Sequence, residues 1–219
     1  MKITSEVFQV GGSGFTSLED AAIYLINAEG HAALVDAGCG TSTGKLFKNI
    51  DDCGIRPEQI EYLLITHCHF DHTGGAQTVM TRTNCQSVAH ELDARYLEEG
   101  DDRVTAARWY GASMDPFMID LKLAGDRNEI NLGQRVISAI HIPGHTPGSV
   151  AYLMESDGQK VLFGQDVHGP LNESLHSNRQ DYIKSLNLLI SLEADILCEG
   201  HYGIFTGKEE IEDFIRSFL

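Results

Sequence analysis

The sequence predicts a layered α/β domain. Short apolar, β-prone runs recur along the whole chain, segments of helical character fall between and after them, and no Pro-, Ser- or charge-rich stretch offers a linker. With 219 residues, 42% of them hydrophobic, the chain can bury a substantial core as one domain over residues 1–219. In chain order, strands are expected over Ile3–Val10, Ala22–Asn27, Ala32–Asp36, Tyr62–Thr66, Ser87–His90, Arg135–Ile142, Ser149–Met154, Lys160–Phe163 and Asp195–Cys198. Helices are expected over Gly44–Asp52, Ala76–Arg82, Glu91–Glu98, Arg103–Tyr110, Gln180–Leu192 and Lys208–Phe218, the last two with apolar residues at helical spacing. There is no internal repeat or low-complexity segment.

The densest chemistry is THCHFDHTGG, Thr66 to Gly75, which places His67, His69, Asp71 and His72 directly after the apolar run YLLI. Imidazole nitrogen and carboxylate oxygen suit zinc, and manganese or iron accept the same mixture. Side chains at i and i+2 leaving an extended segment point to the same side, so His67 and His69 can converge on one ion. The Gly74-Gly75 pair permits a sharp change of direction and a close backbone approach. A helix starting at Ala76 would then carry Asp71 and His72 to a different side, where a second ion fits. A cluster of this kind after a core strand would be costly without a shared partner.

Four ligands cannot complete two coordination spheres, and further candidates follow downstream. His145 lies in IPGHTPGS, Asp166 in VLFGQDV and His201 in DILCEGHYG, each after an apolar strand-like run and a glycine.

These segments, in this order, resemble the metallo-β-lactamase fold superfamily, whose signature is HxHxDH followed by a later His, an Asp and a final His. The resemblance extends to VDAG, Val35 to Gly38, where the family carries an Asp near the site. It implies a four-layer αββα sandwich with the site at one edge between two sheets. It also implies that His67, His69 and His145 hold one metal and Asp71, His72 and His201 a second, with Asp166 bridging. Two divalent ions per chain are expected, zinc first, with iron or manganese as alternatives.

Composition narrows the partners. The formal charge of −16 argues against polyanions, and a nuclease of this superfamily would need basic surfaces that sixteen scattered Lys and Arg residues do not form. The start MKITSEVFQV lacks the apolar core of a signal peptide, and no run of about 18 apolar residues could span a membrane. A cytoplasmic protein with small-molecule substrates is expected, as a monomer or an oligomer. Five cysteines, Cys39, Cys53, Cys68, Cys85 and Cys198, have no zinc-ribbon spacing and fit reduced thiols. Alternation should turn Cys68 away from the metals and into the core.

A water shared by two cations becomes a hydroxide nucleophile near neutral pH, and one metal polarises the substrate carbonyl, so hydrolysis is the expected chemistry. Asp71 can orient that nucleophile, while Asp36 and Thr66 are candidates to fix imidazole orientation. Secreted β-lactamases of the best-known subclass usually carry a cysteine where this chain has Asp166. Acyl-homoserine lactonases place a tyrosine shortly after the bridging aspartate, where this chain reads Val167, His168, Gly169. The remaining resemblance is to glyoxalase II, the hydroxyacylglutathione hydrolase type. This chain ends soon after His201, without that family's basic helical extension, so an acyl-CoA is an equal candidate for the thioester. A lactonase or β-lactamase-like hydrolase, a mononuclear iron persulfide-dioxygenase-like oxidoreductase and a non-catalytic scaffold are the alternatives. Trp109, Tyr110, Met114 and Phe117 could cap the site or pack the helical layer, and His168, His176 and Arg179 could approach substrate or serve the surface.

Overall fold

Alternation along the strands builds the layers. In the computed structural model, which describes residues 1–219, strand β2 (Ile23–Ala28) sends Ile23 and Leu25 to one side and Tyr24 and Ile26 to the other. The first side packs on helices α1 (Thr43–Asp52), α3 (Ala76–Thr83) and α4 (Glu91–Glu99) through Leu46, Ile50, Val79 and Leu97. The second side meets another sheet through Tyr152, Val161 and Phe163. In strand β10 (Gln159–Phe163) the intervening Leu162 points outward instead, onto Leu186 and Leu189 of α5 (Arg179–Ser191) and Ile211 and Ile215 of α6 (Lys208–Arg216). Three apolar layers separate four structural ones, giving the αββα sandwich.

The first sheet runs in sequential order through β1 (Val7–Gly11), β2, β3 (His31–Val35), β4 (Ile60–Leu64), β5 (Gln86–His90) and β6 (Leu121–Leu123). Its first three strands pair antiparallel, and β3 through β6 pair parallel through helical crossovers. The second sheet is ordered β12 (Ile204–Thr206), β11 (Ile196–Cys198), β10, β9 (Val150–Ser156), β8 (Arg135–His141) and β7 (Arg127–Leu132). All its pairs are antiparallel except β10 with β11.

Several expected elements differ. The first strand begins at Val7 rather than Ile3. The helix expected over Arg103–Tyr110 is only a short 3-10 turn, Ala107–Tyr110: Ala106 takes a left-handed φ of 58°, which an α-helix cannot contain. Strands β6, β7 and β12 were not expected, and neither was α2 (Phe70–Thr73), a single turn inside the histidine motif. The charged residues of β7 sit at its exposed positions and mask an alternation that the hairpin with β8 completes.

Gly74 and Gly75 supply the close approach but not unusual dihedrals. Both are right-handed helical, and a Cβ on Gly75 would stand 2.3 Å from the Ala37 carbonyl oxygen. Packing of this loop against the end of β3 is what requires glycine there. The longest helix present is α5, and no helix is long and apolar enough to cross a membrane.

Candidate metal centre

The parallel strands β3 and β4 end at one edge of the first sheet, and β10 and β11 end at the facing edge of the second. Asp36 follows β3, His67 and His69 leave the end of β4, and Asp71 and His72 ride on α2. His145 lies in the β8–β9 connection, Asp166 beyond β10 and His201 beyond β11. All seven ligand candidates therefore meet at one edge, and all but His201 are buried.

They form two groups joined through one carboxylate. His67, His69, His145 and Asp166 offer atoms all within 4.8 Å of one another, as do Asp71, His72 and His201. Asp166 Oδ2 lies 3.7 Å from His67 Nε2 and 3.3 Å from His145 Nε2, while Oδ1 lies 3.2 Å from His72 Nε2 and 3.3 Å from His201 Nε2. Asp71 Oδ2 is 3.2 Å from His201 Nε2. Donors around a tetrahedral cation with bonds of about 2.0–2.1 Å are separated by roughly 3.3 Å, which these distances bracket.

The buried nitrogens His67 Nε2 and His72 Nε2, and Asp166 Oδ1, have no hydrogen-bond partner, because none of the short contacts among them has hydrogen-bond alignment. Buried polar atoms left unpaired are costly, and a shared cation would satisfy them together. The residues present fit a pair of divalent ions.

Hydrogen bonds behind the donors aim the rings. Thr66 donates its hydroxyl to Asp36 Oδ2 at 2.7 Å and its backbone N–H to Oδ1 at 2.9 Å. His67 Nδ1 stands 3.1 Å from the same hydroxyl oxygen, so Nδ1–H is the donor and Nε2 is left bare. His72 Nδ1 donates to Asp36 Oδ2 at 2.6 Å, and His145 Nδ1 donates to the Pro170 carbonyl at 3.0 Å. His145 Nε2 then faces His69 Nδ1 at 3.0 Å. Asp36, which takes a left-handed φ of 62°, anchors both halves of the motif.

Charge in the metal-free cluster reflects this crowding. Burial and the neighbouring rings push His67 down and His69 down to about 3. Burial opposes the charge on Asp166, but His72, His145 and His201 hold its carboxyl well below the usual carboxylate range. Burial would also lower His201, yet the Asp166 and Asp71 carboxylates beside its Nε2 carry it up to about 10.

Three contributors escaped the sequence reading. Gln165 donates to Asp36 Oδ2 at 2.9 Å. Asp93, fully buried on α4, accepts from the Cys68 and Gly148 backbone N–H groups and the Thr146 hydroxyl, fastening the motif loop to the His145 loop. Glu199, also fully buried, accepts from the N–H groups of His201 and Tyr202 and from His168 Nδ1 at 2.8 Å. Glu199 had a signal, a carboxylate directly before the glycine and histidine of CEGH; Asp93 had none, because its partners are far away in sequence.

A cavity of about 150 Å³ opens onto the two groups, floored by His69, Asp71, Asp166 and His201. Trp109, Tyr110, His168, Pro170 and Leu175 also line it. Trp109 is 55% exposed, whereas Met114 and Phe117 are buried in the helical core layer, so the aromatic segment divides between the two expected roles. The Tyr110 phenol, raised by burial and by the Asp71 carboxylate, stays protonated and faces Asp71. Arg179 reaches the Leu219 carbonyl and takes no part in the cavity. Cys68 is fully buried in the core, and all five cysteines are free thiols.

Asp36→Asn is expected to lower metal affinity about 10- to 100-fold, because an amide must turn one N–H toward donors that now meet an acceptor. Competition with a chromophoric chelator measures this directly; unchanged affinity would show that the rings are aimed by packing alone.

The profile of the metallo-beta-lactamase superfamily matches residues 18–201, and the chain belongs to that superfamily of metallo-hydrolases. Among curated relatives, acyl-coenzyme A thioesterase MBLAC2 of Gallus gallus is 28% identical over 98% of this chain and 84% of its own length. Hydroxyacylglutathione hydrolase of Anaeromyxobacter dehalogenans is 38% identical over 68% of this chain, which spans 47% of that relative. A Cronobacter sakazakii metallo-beta-lactamase shares the fold with a TM-score of 0.84, at 21% identity over 100% of this chain and 90% of its own. The metallo-beta-lactamase GOB-18 of Elizabethkingia meningoseptica gives a TM-score of 0.77 at 27% identity over 92% of this chain and 76% of its own.

Proposed function

We propose that this protein is a binuclear metal-dependent thioester hydrolase, with an acyl-CoA as the favoured substrate class. The observation that carries the reading is the pair of His/Asp groups joined through Asp166 at the floor of an open cavity. His67, His69 and His145 would hold one divalent cation, Asp71, His72 and His201 the other, and Asp166 both. Such a pair supplies an activated water and Lewis-acid polarisation of the acyl carbonyl.

The chain's own residues set the geometry of the reaction. Asp71 Oδ2 lies beside His201 and faces the cavity, placed to accept a hydrogen bond from the attacking water and orient it. Tyr110, kept protonated by burial and by the Asp71 carboxylate, lines the same cavity as Asp71. Trp109 and Pro170, both exposed at the cavity, provide apolar surface for an acyl chain. Similarity to MBLAC2 across nearly the whole chain supports a CoA ester over a glutathione ester, since the hydroxyacylglutathione hydrolase likeness covers a smaller part.

The test is a hydrolysis screen of acyl-CoAs, acylglutathiones, lactones and phosphodiesters on protein whose metal content has been measured. About two cations per chain with thioester turnover is the expected result. A single iron with oxygen consumption, or turnover confined to lactones, would overturn it.

A further inference from the structure

Just outside the cavity, two guanidiniums are held by neutral partners. Arg95 lies over the Tyr96 ring, its Cζ 4.5 Å from the centroid, and donates to Tyr96 Oη. That oxygen is 2.7 Å from His176 Nδ1, and Arg103 Nη2 is 3.4 Å from His176 Nε2. An imidazole with its proton on Nδ1 donates to Oη and leaves Nε2 to accept from Arg103. Neither guanidinium has a carboxylate within ion-pair reach, in a chain with 32 acidic and 16 basic residues. The adjacent Asp101 and Asp102 are engaged by backbone N–H groups, those of Arg103 and Val104 for the first and of Met114 for the second.

The array also sits at the right place. Arg103 lies three residues before Ala106 and His176 directly follows Leu175, and since Ala106 and Leu175 both line the cavity, the contact between Arg103 and His176 sits beside it. Arg95, Arg103 and His176 are all exposed. A strongly acidic protein repels an anionic substrate at long range, and local guanidinium forks are the side chains best suited to reverse that for a phosphate or carboxylate.

We propose that Arg95 and Arg103, braced by Tyr96 and His176, form an anion subsite at the cavity rim that grips a phosphate or carboxylate on the thiol carrier of the substrate. This rests on the thioester reading above, and it adds a specificity element that the metal groups do not contain. The acyl group would lie inward against Trp109 and Pro170 while the carrier's charged end reaches outward.

Calorimetric titration of the purified protein with coenzyme A, glutathione and pantetheine separates the sources: the first brings phosphates, the second carboxylates, and the third neither. Arg103→Gln is expected to weaken coenzyme A or glutathione about ten-fold or more relative to pantetheine, with Arg103→Lys, which keeps the charge but loses the fork, falling between the wild type and Arg103→Gln, and Arg95→Gln showing a loss of the same kind. Loss for coenzyme A assigns a phosphate, and loss for glutathione assigns a carboxylate. Wild-type affinity of Arg103→Gln for both, an equal loss for pantetheine, or no binding of either anionic thiol by the wild type would overturn the subsite. If Arg103-dependent binding is present while no thioester is hydrolysed, the thioester reading falls and the subsite stands.

Discussion

Asp166→Ala is expected to lower hydrolysis by about 1000-fold or more and to leave the purified protein with fewer cations per chain. Asp166 reaches both groups, its Oδ2 toward His67 and His145 and its Oδ1 toward His72 and His201. Removing it takes a negative charge from between five imidazoles and leaves each prospective cation short of one donor. His69→Ala should act in the same direction by opening the first group alone. Elemental analysis of both variants beside thioester turnover makes the check, with circular dichroism to establish that they fold. Full turnover and full metal content in Asp166→Ala would remove this residue from the site.

Phe163→Ala is expected to cost about 3–5 kcal/mol of folding stability and to lower the melting temperature by roughly 6–20 °C. The ring is fully buried between the two sheets and stands 5.6 Å, centroid to centroid, from Tyr24 across the interface. Its strand pairs with β9 at Tyr152 and with β11 at Cys198, so a void there loosens both neighbours. Gly164, Gln165 and Asp166 follow at once, and part of the loss should appear as weaker metal retention. Phe163→Leu, which keeps most of the volume, should lose far less. Equal melting temperatures for wild type and Phe163→Ala, followed by calorimetry, would show that the inter-sheet layer is not the dominant core.

The candidate site was more legible than the fold around it. His67, His69, Asp71 and His72 announced themselves because four metal-ligand side chains fall within one short loop after an apolar strand, and His145, Asp166 and His201 because each follows a strand and a glycine. The glycine signal combined distinct causes. Gly144 adopts a φ of 138° that other residues rarely take, whereas a Cβ on Gly200 would stand 2.4 Å from Asp166 Oδ1. Short edge strands such as β6 and β12 left little trace, since three residues with solvent on one side need no sustained apolar pattern. The Arg103–Tyr110 helix failed because the left-handed turn at Ala106 answers to the Asp101 cap and the cavity wall, not to local propensity.

By itself the sequence determined the inventory and order of the candidate metal-ligand side chains, the strands that carry most of them, and the acidic balance that disfavours polyanionic partners. Only the tertiary structure decided what those side chains could do together. His72 and Asp36 are 36 positions apart and bond at 2.6 Å, and Asp93 joins two loops that no local pattern connects. Arg103 and His176, 73 positions apart, meet only because the loops that carry them both run beside the cavity. Periodicity records the environment of each strand face, but convergence at a sheet edge depends on strand order and crossover, which are set by burial of all three apolar layers at once.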